Sequence, residues 1–216
     1  MPAGTAVTCA LPRKPFAVEP RMPMPLPPSF FDDDPVAVAR SLLGATLTRR
    51  QGGALLRARV VETEAYDGPA DPACDRVLRS SAALAAMGGP PGRYYMHRSY
   101  GVPLLNVVCR PAGEAAAVLV RAAEPLEGLD LMRARRPGAR ADRDLLRGPA
   151  NLSRALGLGV DLTGRAVDDE ALSFEAGPPP RGGVAASPRI GLSAGVDLPW
   201  RFFFVDDPFV SGPRLR

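Results

Sequence analysis

The sequence predicts an α+β fold, a single mixed domain built on a largely antiparallel sheet. Three observations carry this. Strand-like runs are joined by a short glycine turn, as in Ala45–Arg50 and Ala54–Tyr66 around Gln51-Gly52-Gly53. Two helices are marked by proline starts, at Asp34-Pro35 and Gly148-Pro149. The 216 residues are 46% hydrophobic and 23% charged, near globular averages, which excludes wholesale disorder and leaves enough chain for a sizeable core.

Residues 1–28 hold eight prolines and no sustained periodicity, so they read as a disordered leader, with the domain spanning 29–216. Structure is expected to begin at Ser29-Phe30-Phe31. Asp34 is the predicted N-cap of a helix that has Pro35 at its first position and stops at Gly44. Residues 67–92, rich in Pro, Gly, Ala and Asp, form a long irregular connection, and so long a connection in a compact domain is usually functional. Tyr94–Tyr100, Leu104–Arg110 and Ala116–Ala122 read as further strands. Glu124-Pro125 is expected to open a helix carrying Leu126, Leu129 and Met132. A second runs from Pro149 to about Leu156, capped by Gly157. Pro178–Gly183 reads as a loop and 199–205 as a final strand.

The basic residues exclude several chemistries. Lys+Arg is 27, yet Lys14 is the single lysine, which leaves 26 arginines, and His97 is the single histidine. No multi-histidine metal site can form, and no Walker-type lysine is present. Any catalytic triad must use His97. Genome composition accounts for most of the arginine excess, since Ala, Gly and Pro are abundant too. Three cysteines, Cys9, Cys74 and Cys109, form no CxxC pair, so no disulfide framework or zinc site is expected. The net charge of +4 is too mild for a generic nucleic-acid coat, so a nucleic-acid partner would need local arginine clusters. No membrane span or signal peptide is read, and a reducing cytoplasmic setting is expected.

Val60-Val61-Glu62-Thr63-Glu64-Ala65-Tyr66 is the most informative segment. Strand alternation puts Glu62, Glu64 and Tyr66 on one face, beyond the apolar Leu56, Ala58 and Val60. Such a face suits a pocket floor with a general base. It equally suits an edge strand with solvated glutamates. In Tyr94–Tyr100, aromatic and cationic groups alternate: Tyr95, His97 and Ser99 share one face, Tyr94, Met96, Arg98 and Tyr100 the other. The mix suits stacking on planar rings, or ordinary cross-strand pairs. Arginines between 133 and 147 read as a solvated face. Gly148 and Asn151 stand at a helix start whose free N–H groups suit a phosphate, although Gly148-Pro149 more often marks no more than a proline-started helix.

Taken in order, FFDDDPVAVARSLLG, VVETEAYDGPADPA, PGRYYMHRSYG, LLNVVC, AVLVRAAEPLEGLDLMR, RGPANLSRALGL and LPWRFFFVDDPFVSGP resemble the alkyladenine (3-methyladenine) DNA glycosylase family. They cover about residues 30–213. The resemblance implies a curved sheet surrounded by helices, not a helix-hairpin-helix fold. It implies base excision: a damaged purine flipped from duplex DNA and cut at its N-glycosidic bond. By position, Glu64 matches the general base, Arg121 the arginine near the catalytic water, and Tyr66 a stacking aromatic. Tyr100 matches the residue that plugs the vacated helix, and Asn106 the asparagine near the purine's minor-groove edge. The family's pocket histidine is here Asp75, and its second stacking tyrosine is His97. The segment from Tyr100 to Asn106 is one residue short and contains Pro103.

The expected partner is double-stranded DNA with a damaged purine, bound by a monomer without metal or cofactor in a bacterial cytoplasm, on the nucleoid. Lyase activity needs an amine nucleophile, and the amines available, Lys14 and a Pro2 freed by loss of Met1, both lie in the leader. Water is therefore the expected nucleophile and the enzyme monofunctional. Two other readings stay open. One is a damaged-DNA binding protein with weak or altered excision. The other is a hydrolase of non-DNA sugar bonds using Glu62 with Glu64, although both would approach from one side.

Overall fold

The computed structural model describes residues 24–177 and 182–212. Most of the expected leader and part of the 178–183 loop lie outside these. The described fold nevertheless begins before Ser29. Pro25 bridges to Glu175, and the Leu26 N–H donates to the Phe174 carbonyl at 2.6 Å.

From its N-terminus the chain forms α1 (Pro35–Ser41), β1 (Thr46–Gln51), β2 (Ala54–Tyr66), α2 (Asp75–Leu78), α3 (Ser81–Met87), β3 (Tyr94–Ser99) and β4 (Val102–Val108). It continues through β5 (Ala117–Glu127), α4 (Leu129–Arg135), α5 (Pro149–Leu156), β6 (Asp168–Asp169), β7 (Leu172–Glu175), β8 (Val184–Ser187) and β9 (Arg201–Phe204). Every strand pair among these is antiparallel. The order is β3-β4-β5-β2-β1-β7-β6, with β9 joining β2 and β8 joining β9, and the sheet curls into a half-barrel. β6 covers only Leu172 and Ser173 of β7, so Pro25 and Leu26 take up the edge that remains at Phe174 and Glu175. Proline is tolerated on such an edge.

The helix starts follow local rules. Asp34 Oδ1 accepts the Val36 N–H at 2.9 Å and the Ala37 N–H at 3.3 Å, and Pro35 occupies the first turn. Gly52 and Gly53 both have positive φ, 57° and 79°, the geometry a two-residue hairpin between β1 and β2 requires.

Two expectations are corrected. The helix expected from Glu124 does not form, because β5 continues through Pro125 to Glu127. Glu124 stays in the sheet opposite Arg59, and their side chains pair at 2.6 Å. Since β4 pairs only with Ala117–Leu119, the β4 side of β5 is open at Pro125, where a proline can sit. The stretch 67–92 is also less irregular than expected. It holds α2 and α3, the latter capped by Ser80 Oγ, which accepts the Ala83 N–H at 3.4 Å.

β2 is the spine. β5 lies along one side of it; on the other side β1 flanks its first half and β9 its last. Its carboxylate-bearing end is thereby closed on both edges. Of three register shifts in β2–β5, two compensate each other and leave Val61 on β2 and Arg121 on β5 without a direct partner. Such bulges re-aim side chains. α1 packs against β2 and β5, and α5 against β4 and β5, around a core that includes Phe31, Leu47, Val60, Val118, Leu152 and Phe174.

The β3–β4 hairpin turns on Tyr100-Gly101, with φ of 45° and 79°. Tyr100 is fully exposed, at 105% of its reference area. A large aromatic held left-handed in solvent stores strain without burying surface. Replacing Tyr100 with Asn, which tolerates that conformation, is expected to raise stability by about 1 kcal/mol, read from urea unfolding midpoints. A lower midpoint would remove the strain argument.

Candidate active site

The site grows from the enclosed end of β2. Glu62 and Glu64 share a strand face and neither has any exposure. Between them lies the Arg121 guanidinium, placed there by its bulge. Its Nε donates to Glu62 Oε1 at 3.0 Å and its Nη1 sits 3.1 Å from Glu64 Oε1. Burial works against the Arg121 charge, but Glu64 and Glu62 together hold its pKa above the ordinary value.

The two carboxylates differ in where their partners lie. Glu62 Oε1 also accepts from Arg201 Nε at 2.7 Å, and its Oε2 accepts the Ser211 N–H at 2.7 Å. Glu62 is thus an anchor for two arginines and the 211 backbone. Glu64 Oε1 accepts the Ile190 N–H at 2.8 Å and lies 3.1 Å from the Arg121 guanidinium. Among the described residues, the Tyr66 hydroxyl donates to Glu64 Oε2 at 2.8 Å. Burial, then the Glu64 charge, raises the Tyr66 phenol above its ordinary pKa, so it stays a donor.

Tyr66, Arg121 and Ile190, which cover Glu64, line a cavity of about 770 Å³, within the roughly 300–1,000 Å³ usual for ligand sites. Its walls include Tyr95, His97, Ser99, Leu104, Asn106 and Asp75, with Tyr100 at the lip. The alternation expected in β3 holds through Ser99, as Tyr95, His97 and Ser99 line the cavity while Tyr94 and Met96 enter the core; it fails at Tyr100, which lies in the turn at φ 45° and lines the same cavity. His97 Nδ1 lies 3.1 Å from the Tyr95 hydroxyl, and burial lowers its pKa. Asn106 Nδ2 donates to the Leu104 carbonyl at 3.0 Å, leaving the amide oxygen for the cavity. Asp75, at the start of α2, is exposed on the wall. Cys74 also lines the cavity, but burial pushes its thiol up to about 12, which keeps it protonated and un-nucleophilic.

Gly148 and Asn151 are not among the lining residues of this cavity. They border a smaller hollow of about 260 Å³ beside Tyr100, and Asn151 Nδ2 donates to the Arg147 carbonyl at 2.8 Å.

The sequence reading missed Arg189 and Asp71. Both side chains are fully buried, with Arg189 Nη1 and Nη2 on the two Asp71 oxygens at 2.5 and 2.7 Å. Arg189 Nη1 also donates to the Ala65 carbonyl, and the guanidinium lies 4.7 Å from the Tyr66 ring and 5.2 Å from Trp200. It covers one face of Tyr66 and turns the other toward the cavity. The next residue supplies the Ile190 N–H that holds Glu64. One arginine among 26 gave no local signal, because its partner lies 118 positions away.

A curled antiparallel sheet that buries a carboxylate under an aromatic-walled cavity, with a strained tyrosine standing at its lip, suits an enzyme that takes a flat ring out of a stack. Comparison with known proteins gives that class. The family model described as methylpurine-DNA glycosylase matches residues 29–208. A protein of Gloeobacter violaceus named "Putative 3-methyladenine DNA glycosylase" is 45% identical over 183 residues, 84% of each chain. Proteins with the same name from Burkholderia lata and Nocardia farcinica are 43% identical over 211 residues and 44% over 190, covering 95% and 84% of this chain and 96% and 88% of theirs. The chain belongs to the methylpurine-DNA glycosylase family, and its enzyme class is that of the DNA-3-methyladenine glycosylases, hydrolases of N-glycosyl bonds.

Arg189→Met, which strands a buried carboxylate, is expected to destabilise the protein by about 3–5 kcal/mol in urea unfolding. Adding Asp71→Asn should recover part of this. Burial opposes the Asp71 charge, yet the Arg189 hydrogen bonds hold its pKa below 3.8. Its contribution is therefore full above that value and lost as pH falls through the lower folded pKa. Asp71→Asn should flatten the acid limb of the stability curve; an unchanged limb would refute the assignment.

Proposed function

We propose that this enzyme flips alkylated or deaminated purines, of the 3-methyladenine, 7-methylguanine and hypoxanthine type, out of duplex DNA and hydrolyses the N-glycosidic bond with water activated by Glu64. The observation that carries the reading is the place of Glu64, directly behind Tyr66, Arg121 and Ile190, which line the cavity. A water held there is aligned by one carboxylate oxygen, while Arg121 and the Ile190 N–H keep the other fixed. Glu64 takes the water's proton as the sugar gains oxocarbenium character, and its charge stabilises that cation. Tyr66 presents its uncovered face to the base, and His97 provides a second flat surface. Stacking is worth about 1–3 kcal/mol per aromatic contact. Tyr100 fills the gap in the duplex, offsetting part of the few kcal/mol that flipping costs.

Two features of the wall suit a cationic base, although Arg76, Arg79 and Arg121 also line the cavity. His97 is lowered by burial, so it is neutral at pH 7 and does not repel a methylated purine. Asp75 adds a negative charge on the wall, and Asn106 offers an amide oxygen to the base edge. Gly148 and Asn151 border the hollow beside Tyr100, where the strand's phosphates pass. Among the described residues no lysine stands near the cavity, which supports water rather than an amine as nucleophile, and monofunctional cleavage without strand nicking. The working form is a monomer on cytoplasmic DNA.

Glu64→Gln is expected to lower single-turnover base release from methylated duplex by about 10²–10⁴-fold while DNA binding persists. Equal release by wild type and variant would defeat the enzyme mechanism. Borohydride should trap no covalent DNA adduct; a trapped adduct would establish an amine nucleophile. Because the folded pKa of His97 lies below 6.5, release of cationic bases should hold as pH drops past 6.5 and fall only once His97 protonates. His97→Phe should lose that component of the acid limb.

A further inference from the structure

The arginines divide by what they face. Arg57, Arg59, Arg110, Arg121, Arg133, Arg189 and Arg201 each contact a carboxylate within 3.1 Å. Arg154 does not. It is exposed on α5 and, among the described residues, its side chain has no hydrogen-bonding or ionic partner. It borders the 260 Å³ hollow that shares Ser99, Tyr100, Leu104 and Pro149 with the main cavity and leads away from it along α5. Arg136 stands at the C-terminal end of α4, the helix packed against α5, close enough for the Arg154 charge to act on it. Its own contact is a hydrogen bond from Nη1 to the Leu145 carbonyl at 3.0 Å, with Asp144 the nearby opposing charge. The two are held together by packing, since Arg135 of α4 donates to the Ala155 carbonyl of α5 at 3.2 Å.

We infer that Arg154 and Arg136 form a phosphate track for the duplex flank lying on the α5 side of the inserted Tyr100, so that the enzyme grips undamaged DNA asymmetrically about the lesion. Two like charges kept side by side without a carboxylate contact are relieved by an anion. The polyanion that belongs at Tyr100 is duplex DNA, whose phosphates repeat at the spacing of a backbone. An α5 of 8 residues is about 12 Å long, which spans about three base-pair steps at 3.4 Å. The inference rests on the enzyme's DNA-glycosylase class and on Tyr100 entering the duplex. It does not depend on how Glu64 works.

The test measures binding rather than excision, with a duplex carrying a tetrahydrofuran abasic analogue that cannot be processed. The slope of log K against log salt is expected to fall in magnitude by about 1 for Arg154→Gln and by about 2 for the Arg136→Gln/Arg154→Gln pair. Arg133→Gln, on α4 but already bonded to Asp130 and Asp142, should keep the wild-type slope. Shortening one of the two DNA flanks, and only that one, should erase the difference between wild type and Arg154→Gln. Unfolding midpoints equal to wild type verify that exposed Arg154→Gln is folded. Wild-type slopes in Arg154→Gln would overturn the track, and so would equal sensitivity to both flanks. Failure of the catalytic reading instead shows as unchanged base release by Glu64→Gln.

Discussion

Glu62 and Glu64 stand two residues apart on a strand with no solvent on either edge, so two negative charges share one dry region. Burying such charges is costly unless each finds a partner. Arg121 lies between them, Arg201 reinforces Glu62, and backbone N–H groups from Ser211 and Ile190 donate to Glu62 and Glu64. The rest of the molecule follows from meeting this need. β5 must bulge to aim Arg121 inward, β9 must lie beside β2 to deliver Arg201, and the 188–212 segment must fold back over the strand end. Such buried pairs add little net stability but are costly to break, so they fix geometry more than they strengthen the fold.

That fixed geometry separates two chemically identical side chains. Glu62 anchors Arg201 and the Ser211 N–H, which are not among the cavity's lining residues; Glu64 is held by Tyr66 and Ile190, which are. The second buried pair, Asp71 with Arg189, works one layer further out. It orients the Tyr66 ring through a cation–π contact and aims the Ile190 N–H at Glu64. The cavity wall is mixed in character, with Asp75, Arg76, Arg79 and Arg121 lining it beside the aromatic rings, His97 and the amide of Asn106. Outside, strain and exposure meet at Tyr100, where the fold keeps an aromatic in a left-handed turn that a glycine or asparagine would fill at less cost.

Much of the fold is legible locally. Asp34-Pro35 and Gly148-Pro149 start helices by hydrogen-bond and φ rules that act within four residues, and Gly52-Gly53 makes its hairpin for the same reason. Alternation placed Tyr95 and His97 on the cavity side of β3. Local reasoning failed where the deciding contact was distant. Three-residue spacing of Leu126, Leu129 and Met132 suggested a helix from Glu124, but the ion pair with Arg59, 65 positions earlier, keeps that stretch in β5. Gly148 and Asn151 have the local look of a phosphate site, and the tertiary fold sets them in a hollow beside the main cavity.

The sequence alone determined the chemistry available: one histidine, one lysine far from the core segments, a β2 strand ending in Glu-x-Glu-x-Tyr, and motifs specific enough to name a family. Tertiary structure decided which glutamate lies behind the cavity lining and which is held away from it, and which of 26 arginines pair with buried carboxylates. These outcomes are set by partners 59 to 149 residues apart, such as Arg121 with Glu62 and Glu62 with the Ser211 N–H. No local pattern encodes such pairings, because only burial makes one arginine differ from another. Once water is excluded, each charge must find a specific opposite, and the fold that brings them together assigns their roles.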